Sequence, residues 1–156
     1  MKYIAHRGLI DGPNINLEND PDNIYITLSK GFEVEIDVWK INKEWFLGHD
    51  APKYLVSENF LSQWGLWIHC KNIEALRDIH SISLYNYFWH QNDDFTLTSM
   101  GYIWTYPRKA ITYRSVLVQP EWDVDWQEQI KFVECAGICS KYVSDIKSIV
   151  EGQNRC

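Results

Sequence analysis

The side chains able to do chemistry are concentrated in the first half of the chain, each at the edge of an apolar, extended-looking run. In FEVEIDVW (32–39), Glu33, Glu35, Asp37 and Trp39 alternate with Phe32, Val34, Ile36 and Val38. Successive strand side chains point to opposite faces, so Glu35 and Asp37 share a face, about 7 Å apart along the strand. If that face turns inward, two carboxylates are expensive to bury unless a cation lies between them. If it belongs to an antiparallel sheet with one wet face, they need no explanation. His6-Arg7-Gly8 closes the run KYIAH, and His49-Asp50 closes EWFLGHD (44–50). His69 and Lys71 share a face of LWIHCK (66–71), with Cys70 turned the other way. Glu18-Asn19 falls in the loop after the first run. Carboxylates of this kind hold a divalent cation, imidazoles move protons near neutral pH, and Arg and Lys attract an anion.

The elements that position these groups are readable from periodicity and caps. KYIAHRG is a buried strand running into a loop at Gly8. Asp20 and Pro21 suit the N-cap and first turn of a helix, and Gly31 its stop. EWFLGHD pairs with FEVEIDVW as a hairpin across Ile41-Asn42-Lys43. A short helix is expected over 57–64, then the strand LWIHCK, then a helix capped by Asn72 with Ile73, Leu76 and Ile79 at helical spacing. Further strands are expected near 86–90, 102–106, 115–119 and 137–142, joined by short or absent helices. Ser144 is the expected cap of a last helix through Val150, with Gly152 after it. Strand–helix alternation in the first half argues for parallel strands in βαβ units. A full eight-fold barrel takes about 250 residues, and this chain has 156. The expected fold is therefore α/β, a reduced TIM-like (β/α) barrel with short or missing helices in the second half. No repeat or linker divides it, so 1–156 reads as a single domain.

The order of these groups carries more than any one of them. HRG, then Glu18-Asn19, then Glu-x-Asp, then Gly-His-Asp resembles the glycerophosphodiester phosphodiesterase family over residues 6–50. The likeness continues more faintly in WIHCK (67–71), where the family shows Glu-x-Lys, and in GICSK (137–141), similar to a closing Gly-Ile-x-Thr-Asp. The resemblance implies a TIM-barrel phosphodiesterase with one divalent cation, Mg²⁺ or Ca²⁺. By that likeness His6 and His49 are the general acid–base pair, and Arg7 and Lys71 contact the phosphate. Glu35 and Asp37 are metal ligands, and Glu18 is a ligand or supporting carboxylate. Two residues depart from the pattern. His69 replaces a metal-binding Glu, which leaves Mn²⁺ or Zn²⁺ open because imidazole is a poorer partner for hard ions. Lys141 replaces an Asp at the mouth, which bears on substrate choice.

The expected function is thus metal-dependent hydrolysis of a small phosphodiester. Two alternatives stay beside it: a lyase that forms a cyclic phosphate, and a non-catalytic binding module on a degenerate barrel. A net charge of -6 disfavours broad binding to nucleic acid. The absence of a long apolar run disfavours a membrane span. Cysteines 70, 135, 139 and 156 lack a disulfide spacing and read as reduced thiols, which suits a cytoplasmic protein. Aromatic residues make up 15% of the chain, with 8 Trp; they read as core filling, with a stacking surface that includes Trp104 or Trp122 as the alternative. His90, beside Gln91-Asn92-Asp93-Asp94, is a candidate for the pocket mouth, and Glu121 is another acid at a strand end. Strand surface left bare by missing helices would favour a homodimer.

Overall fold

The computed structural model describes residues 1–84 and 86–153. Its centre is a sheet of ten strands. Strands β1 (Lys2–His6), β2 (Glu33–Ile41), β3 (Glu44–Leu47), β4 (Tyr54–Val56) and β5 (Leu66–Cys70) come from the first half. The second half adds β6 (Asn86–Trp89), β7 (Phe95–Leu97), β8 (Ile103–Thr105), β9 (Ser115–Val118) and β10 (Gly137–Ser140). Neighbours β6, β5, β2, β1, β10, β9 and β8 run parallel. β3 and β4 extend the sheet as an antiparallel flap from the far end of β2, and β7 lies antiparallel to β8.

The expected reduced TIM-like barrel does not form. The sheet is mixed and curls into a half-barrel, and its five helices do not alternate regularly with its strands. Among the described residues β6 has a ladder only with β5, and β7 only with β8. Bonds outside a ladder span the gap: Tyr87 and Ser99 exchange two, Thr98 Oγ1 donates to Asn86 Oδ1, and Thr96 Oγ1 donates to the Trp89 carbonyl. The cause is in the connections. β8 and β9 are parallel neighbours joined by residues 106–114, which contain no helix, and Arg108 there adopts a positive φ of 65°. β9 reaches β10 through short turns and α4 (Trp126–Gln129). Strands β4 and β7 were not expected, and three antiparallel strands interrupt the alternation that a (β/α) barrel requires.

Where helices do form, local chemistry explains them. Helix α1 (Pro21–Ser29) starts at Asp20, whose side chain accepts from Asn23 N, with Pro21 in the first turn. Its Asn23 Nδ2 and Thr27 Oγ1 each donate to the Gly8 carbonyl at 2.9 Å, fixing the turn that follows β1. Helix α2 (Glu58–Leu61) is capped by Ser57 and α3 (Ile73–Asp78) by Asn72. Helix α5 (Val143–Gln153) begins one residue before Ser144 and runs through Gly152, so neither residue has the boundary role expected of it. Val34, Ile36 and Val38 are fully buried on the outer face of β2, together with Ile24 and Ala75 from the helices. Each such side chain contributes on the order of 1.5–3 kcal/mol.

Glu35 and Asp37 are therefore forced to the concave face. There the lower half is filled by Ile4, Trp67, Phe88, Trp104, Val116, Val118 and Cys139. Trp67 and Trp104 lie 6.0 Å apart, and Phe88 sits 4.6 Å from Trp104. Part of the aromatic excess thus closes the bottom of the concavity and leaves its upper end for the polar side chains. Cys70, Cys135 and Cys139 are free thiols, and Cys156 lies outside the described residues. Among the described residues no helix is long and apolar enough to cross a membrane.

Candidate functional site

At the upper end of the concave face is a cavity of about 480 Å³, lined by His6, Arg7, Glu35, Asp37, His49, His69 and Lys141 on one side. Strand parity puts Glu35, Asp37 and His69 together, because β2 and β5 are in register with Asp37 opposite His69. One ligand atom from each lies within 4.8 Å of the others. Asp37 is the hub. Its Oδ1 faces His69 Nδ1 at 3.0 Å and Lys71 Nζ at 3.4 Å, and its Oδ2 accepts from Asn19 Nδ2 at 2.9 Å with Arg7 Nε at 3.4 Å. Burial alone would raise its pKa, but His69, Lys71 and Arg7 outweigh that and hold it far below the carboxylate range. Glu35 goes the other way. Burial and the Asp37 charge push it up to about 7, against His69 and Arg7.

The donors fit a divalent cation. His69 Nε2–H donates to the His90 carbonyl at 2.9 Å, the support that metal-binding imidazoles usually have. Its Nδ1 meets Asp37 Oδ1 at 3.0 Å, and a cation shared by the three side chains would take the place of a proton at that contact. Glu18 is not part of the cluster: Arg7 Nη1 binds its Oε2 at 2.9 Å and Lys141 Nζ its Oε1. Both cations hold its carboxyl below the usual range against the opposing effect of burial. Glu18, expected as a ligand or a supporting carboxylate, is thus held in ion pairs with Arg7 and Lys141 beside the cluster.

His6 is 8% exposed, with Nε2 3.8 Å from Glu35 and Nδ1 3.5 Å from the Gln119 amide. Burial, reinforced by Arg7, Lys141 and His49 and only partly offset by Asp37, keeps its pKa well below the usual value. His49 arrives from β3. Gly48 N donates to the Asp37 carbonyl at 3.1 Å, Trp39 Nε1 donates to the Gly48 carbonyl at 2.6 Å, and His49 Nδ1–H meets Asp50 at 2.7 Å. All the candidate site residues are thus near one another. Arg7 lines the cavity, whereas Lys71 supports Asp37 from outside the lining.

Three contributors were not assigned roles from sequence. Asn19 exchanges two hydrogen bonds with Asp37, Nδ2 to Oδ2 and Asp37 N to Oδ1, both at 2.9 Å. Gln119 holds a left-handed backbone (φ 46°) at the end of β9 and reaches His6. Tyr106 lines the cavity with His90, Trp104 and Trp122. Arg7 and Asn19 are also left-handed, at φ 54° and 56°. Such backbones are uncommon outside glycine and concentrate at functional sites. Glu121 accepts from Ser140 Oγ at 2.7 Å and Lys141 N at 3.2 Å, which anchors the Lys141 segment. The Cys135-x₃-Cys139 pair is not a metal site: Cys139 is packed in the lower core, and Cys135 Sγ donates to the Gly137 carbonyl. His80 is exposed and its Nδ1–H donates to the Arg77 carbonyl.

No family model, no curated protein and no solved structure matches the chain.

Proposed function

We propose that this protein is a divalent-cation-dependent phosphodiesterase that hydrolyses a small phosphodiester. The observation that carries the reading is the meeting of His6 and His49 in a cavity with the buried Glu35, Asp37 and His69 cluster. The order of His6-Arg7-Gly8, Glu18-Asn19, Glu35-x-Asp37 and Gly48-His49-Asp50, similar to that of glycerophosphodiester phosphodiesterases, supports it. Free thiols at Cys70, Cys135 and Cys139 support a reducing, cytoplasmic setting.

Glu35, Asp37 and His69 Nδ1 would hold a dication, whose charge would polarise a phosphoryl oxygen. The chain does the rest. Arg7 and Lys141 line the cavity and attract the anionic diester. His6, kept neutral by its burial, takes a proton from the attacking water. Asp50 orients the His49 ring through Nδ1–H, so that Nε2–H delivers a proton to the departing alkoxide. One phosphorus–oxygen bond forms to water, the bond to the alkoxide breaks, and a monoester and an alcohol leave.

One observation favours a second reading, a phosphate-binding module without turnover. Glu18 and Asp37 are already faced by Arg7, Lys71 and Lys141, so these two carboxylates have cationic partners from the chain itself. The deciding experiment is turnover of bis(p-nitrophenyl) phosphate and of glycerophosphodiesters with Mg²⁺, Ca²⁺, Mn²⁺ and Zn²⁺. It is run beside His6→Ala and His49→Ala. Metal-dependent turnover reduced by about 10²–10⁴ in each variant supports the enzyme. Phosphate binding without turnover under any metal supports the module. If no cation and no phosphate ester binds, both readings fall.

A further inference from the structure

The cavity lining has an aromatic part beside its charged one: His90, whose ring lies 6.3 Å from that of His69, with Trp104, Tyr106 and Trp122. Trp104 belongs to the lower core and is 4% exposed. Tyr106, just past β8, is only partly buried, and Trp122 is 53% exposed at the rim. Their rings meet edge to face, 6.1 Å apart at 82°, and Tyr106 lies 4.7 Å from the His90 imidazole. The result is a right-angled aromatic corner. Its backbone is held in place: Tyr106 N donates to the Asp94 carbonyl at 3.0 Å, and Arg108 Nη2 to the Trp122 carbonyl at 3.1 Å.

His90 adds a second, independent observation. It is 8% exposed, and among the described residues neither ring nitrogen has a hydrogen-bond partner. Buried polar atoms are nearly always paired, so an unpaired imbalance of this kind in a cavity wall needs an explanation. His90 lines the cavity, and its two ring nitrogens are the polar atoms its side chain can offer a ligand there.

We propose that this corner is a subsite for a planar ring carried by one alcohol of the phosphodiester, stacked on Trp122 with its edge toward Tyr106 and hydrogen-bonded by His90. The inference rests on the phosphodiesterase reading for the other end of the ligand, and it narrows the substrate class to aryl or nucleoside esters. Stacking on aromatic faces accepts any flat π system, and hydrogen bonding by His90 adds a preference for a ring with polar edges. A cationic substituent is disfavoured by Arg7 and Lys141 in the same cavity.

The test is calorimetric binding of uridine 5′-monophosphate, phenyl phosphate and glycerol 3-phosphate, which share the phosphoryl group and differ in the ring. Both ring esters are expected to bind about tenfold more tightly than glycerol 3-phosphate. Trp122→Ala, at a half-exposed position that the fold does not need, removes most of that advantage, and Tyr106→Ala removes the remainder. His90→Phe keeps an aromatic ring but no nitrogens, and weakens uridine 5′-monophosphate while sparing phenyl phosphate. Equal binding of all three esters, or a ring advantage that survives both alanine variants, overturns the subsite. An equal effect of His90→Phe on both ring esters overturns the role given to His90. Because binding is read without turnover, a ring preference with no hydrolysis defeats only the catalytic reading. Hydrolysis with no ring preference defeats only the subsite.

Discussion

His69 Nδ1 stands 3.0 Å from Asp37 Oδ1 while Nε2–H of the same ring donates to the His90 carbonyl. A carbonyl can only accept, so the proton of a neutral His69 is on Nε2 and its lone pair faces a carboxylate. A proton on Nδ1 relieves that contact, and so does a dication, which also satisfies Glu35. One nitrogen beside two carboxylates favours borderline ions over hard ones. Mn²⁺ and Zn²⁺ are therefore expected to bind at least about tenfold more tightly than Mg²⁺ or Ca²⁺ in calorimetric titrations. His69→Glu, an all-oxygen cluster, should reverse the order. An unchanged order in that variant removes His69 from the ligand set.

Glu35 makes metal binding and stability depend on pH in opposite senses. Its folded-state pKa, about 7, lies above the ordinary 4.5, so the metal-free fold holds this proton more tightly than the unfolded chain does. The stabilisation is complete below about pH 4.5 and is lost as pH rises through 7. A shift of this size corresponds to on the order of 3 kcal/mol, or roughly 10 °C in melting temperature. A cation must displace the same proton, so its affinity climbs over that window and then levels. His6 and His90, held below their ordinary pKa by burial, act in the opposite sense, so the Glu35 effect is read as a difference between proteins. The metal-free melting temperature of the wild type minus that of Glu35→Gln should fall between pH 5 and 7, and saturating Mn²⁺ should raise the wild type but not the variant.

The local pattern was enough to find the cluster but not the sheet around it. Period-two alternation in β2 and β5 puts Glu35, Asp37, His69 and Lys71 on one side, and that inference needs no distant contact. Asp20, Ser57 and Asn72 mark their helices because a cap is satisfied within a few residues. The curl of the sheet depends instead on which strands find each other. β2 pairs with β5 over one stretch and with β3 over the next, a branch that alternation cannot encode. β7 is a three-residue strand in polar surroundings, below what periodicity detects. The pairing of Glu18 with Lys141, 123 positions away, is also beyond any local pattern. The burial of His90 likewise depends on Tyr106, in a different loop.

Asn19 should matter more than its missing chemistry suggests. It is 1% exposed and left-handed, and it satisfies both the Asp37 amide and one Asp37 oxygen. Asn19→Ala forfeits both bonds and places a Cβ in a strained backbone, for about 2–4 kcal/mol in chemical denaturation. Asn19→Gly accepts the backbone and loses only the bonds, so its cost should be smaller by about 1 kcal/mol. Equal costs would mean that the hydrogen bonds to Asp37, and not the turn, are what Asn19 provides.

Gly48 links the β2–β3 hairpin to His49. Its φ is +148°, and a Cβ built there would lie 2.1 Å from the Ala51 carbonyl oxygen and 3.2 Å from Lys53 N. Both are backbone atoms of the turn that carries His49, so no side chain can move aside to admit a methyl group. Gly48→Ala must shift the 48–53 turn, breaking the bond from Gly48 N to the Asp37 carbonyl or that from Trp39 to the Gly48 carbonyl. The flap is peripheral to the parallel strands, so the stability loss should stay near 1–3 kcal/mol. The catalytic loss should be larger than that figure suggests, because a displacement of about 1 Å in a proton donor costs on the order of 10²-fold in rate. In the proposed mechanism the phosphoryl group is held by Arg7 and Lys141 from other elements, so kcat should fall while KM changes little. A Gly48→Ala protein that melts lower but keeps its kcat would show that His49 does not deliver the proton.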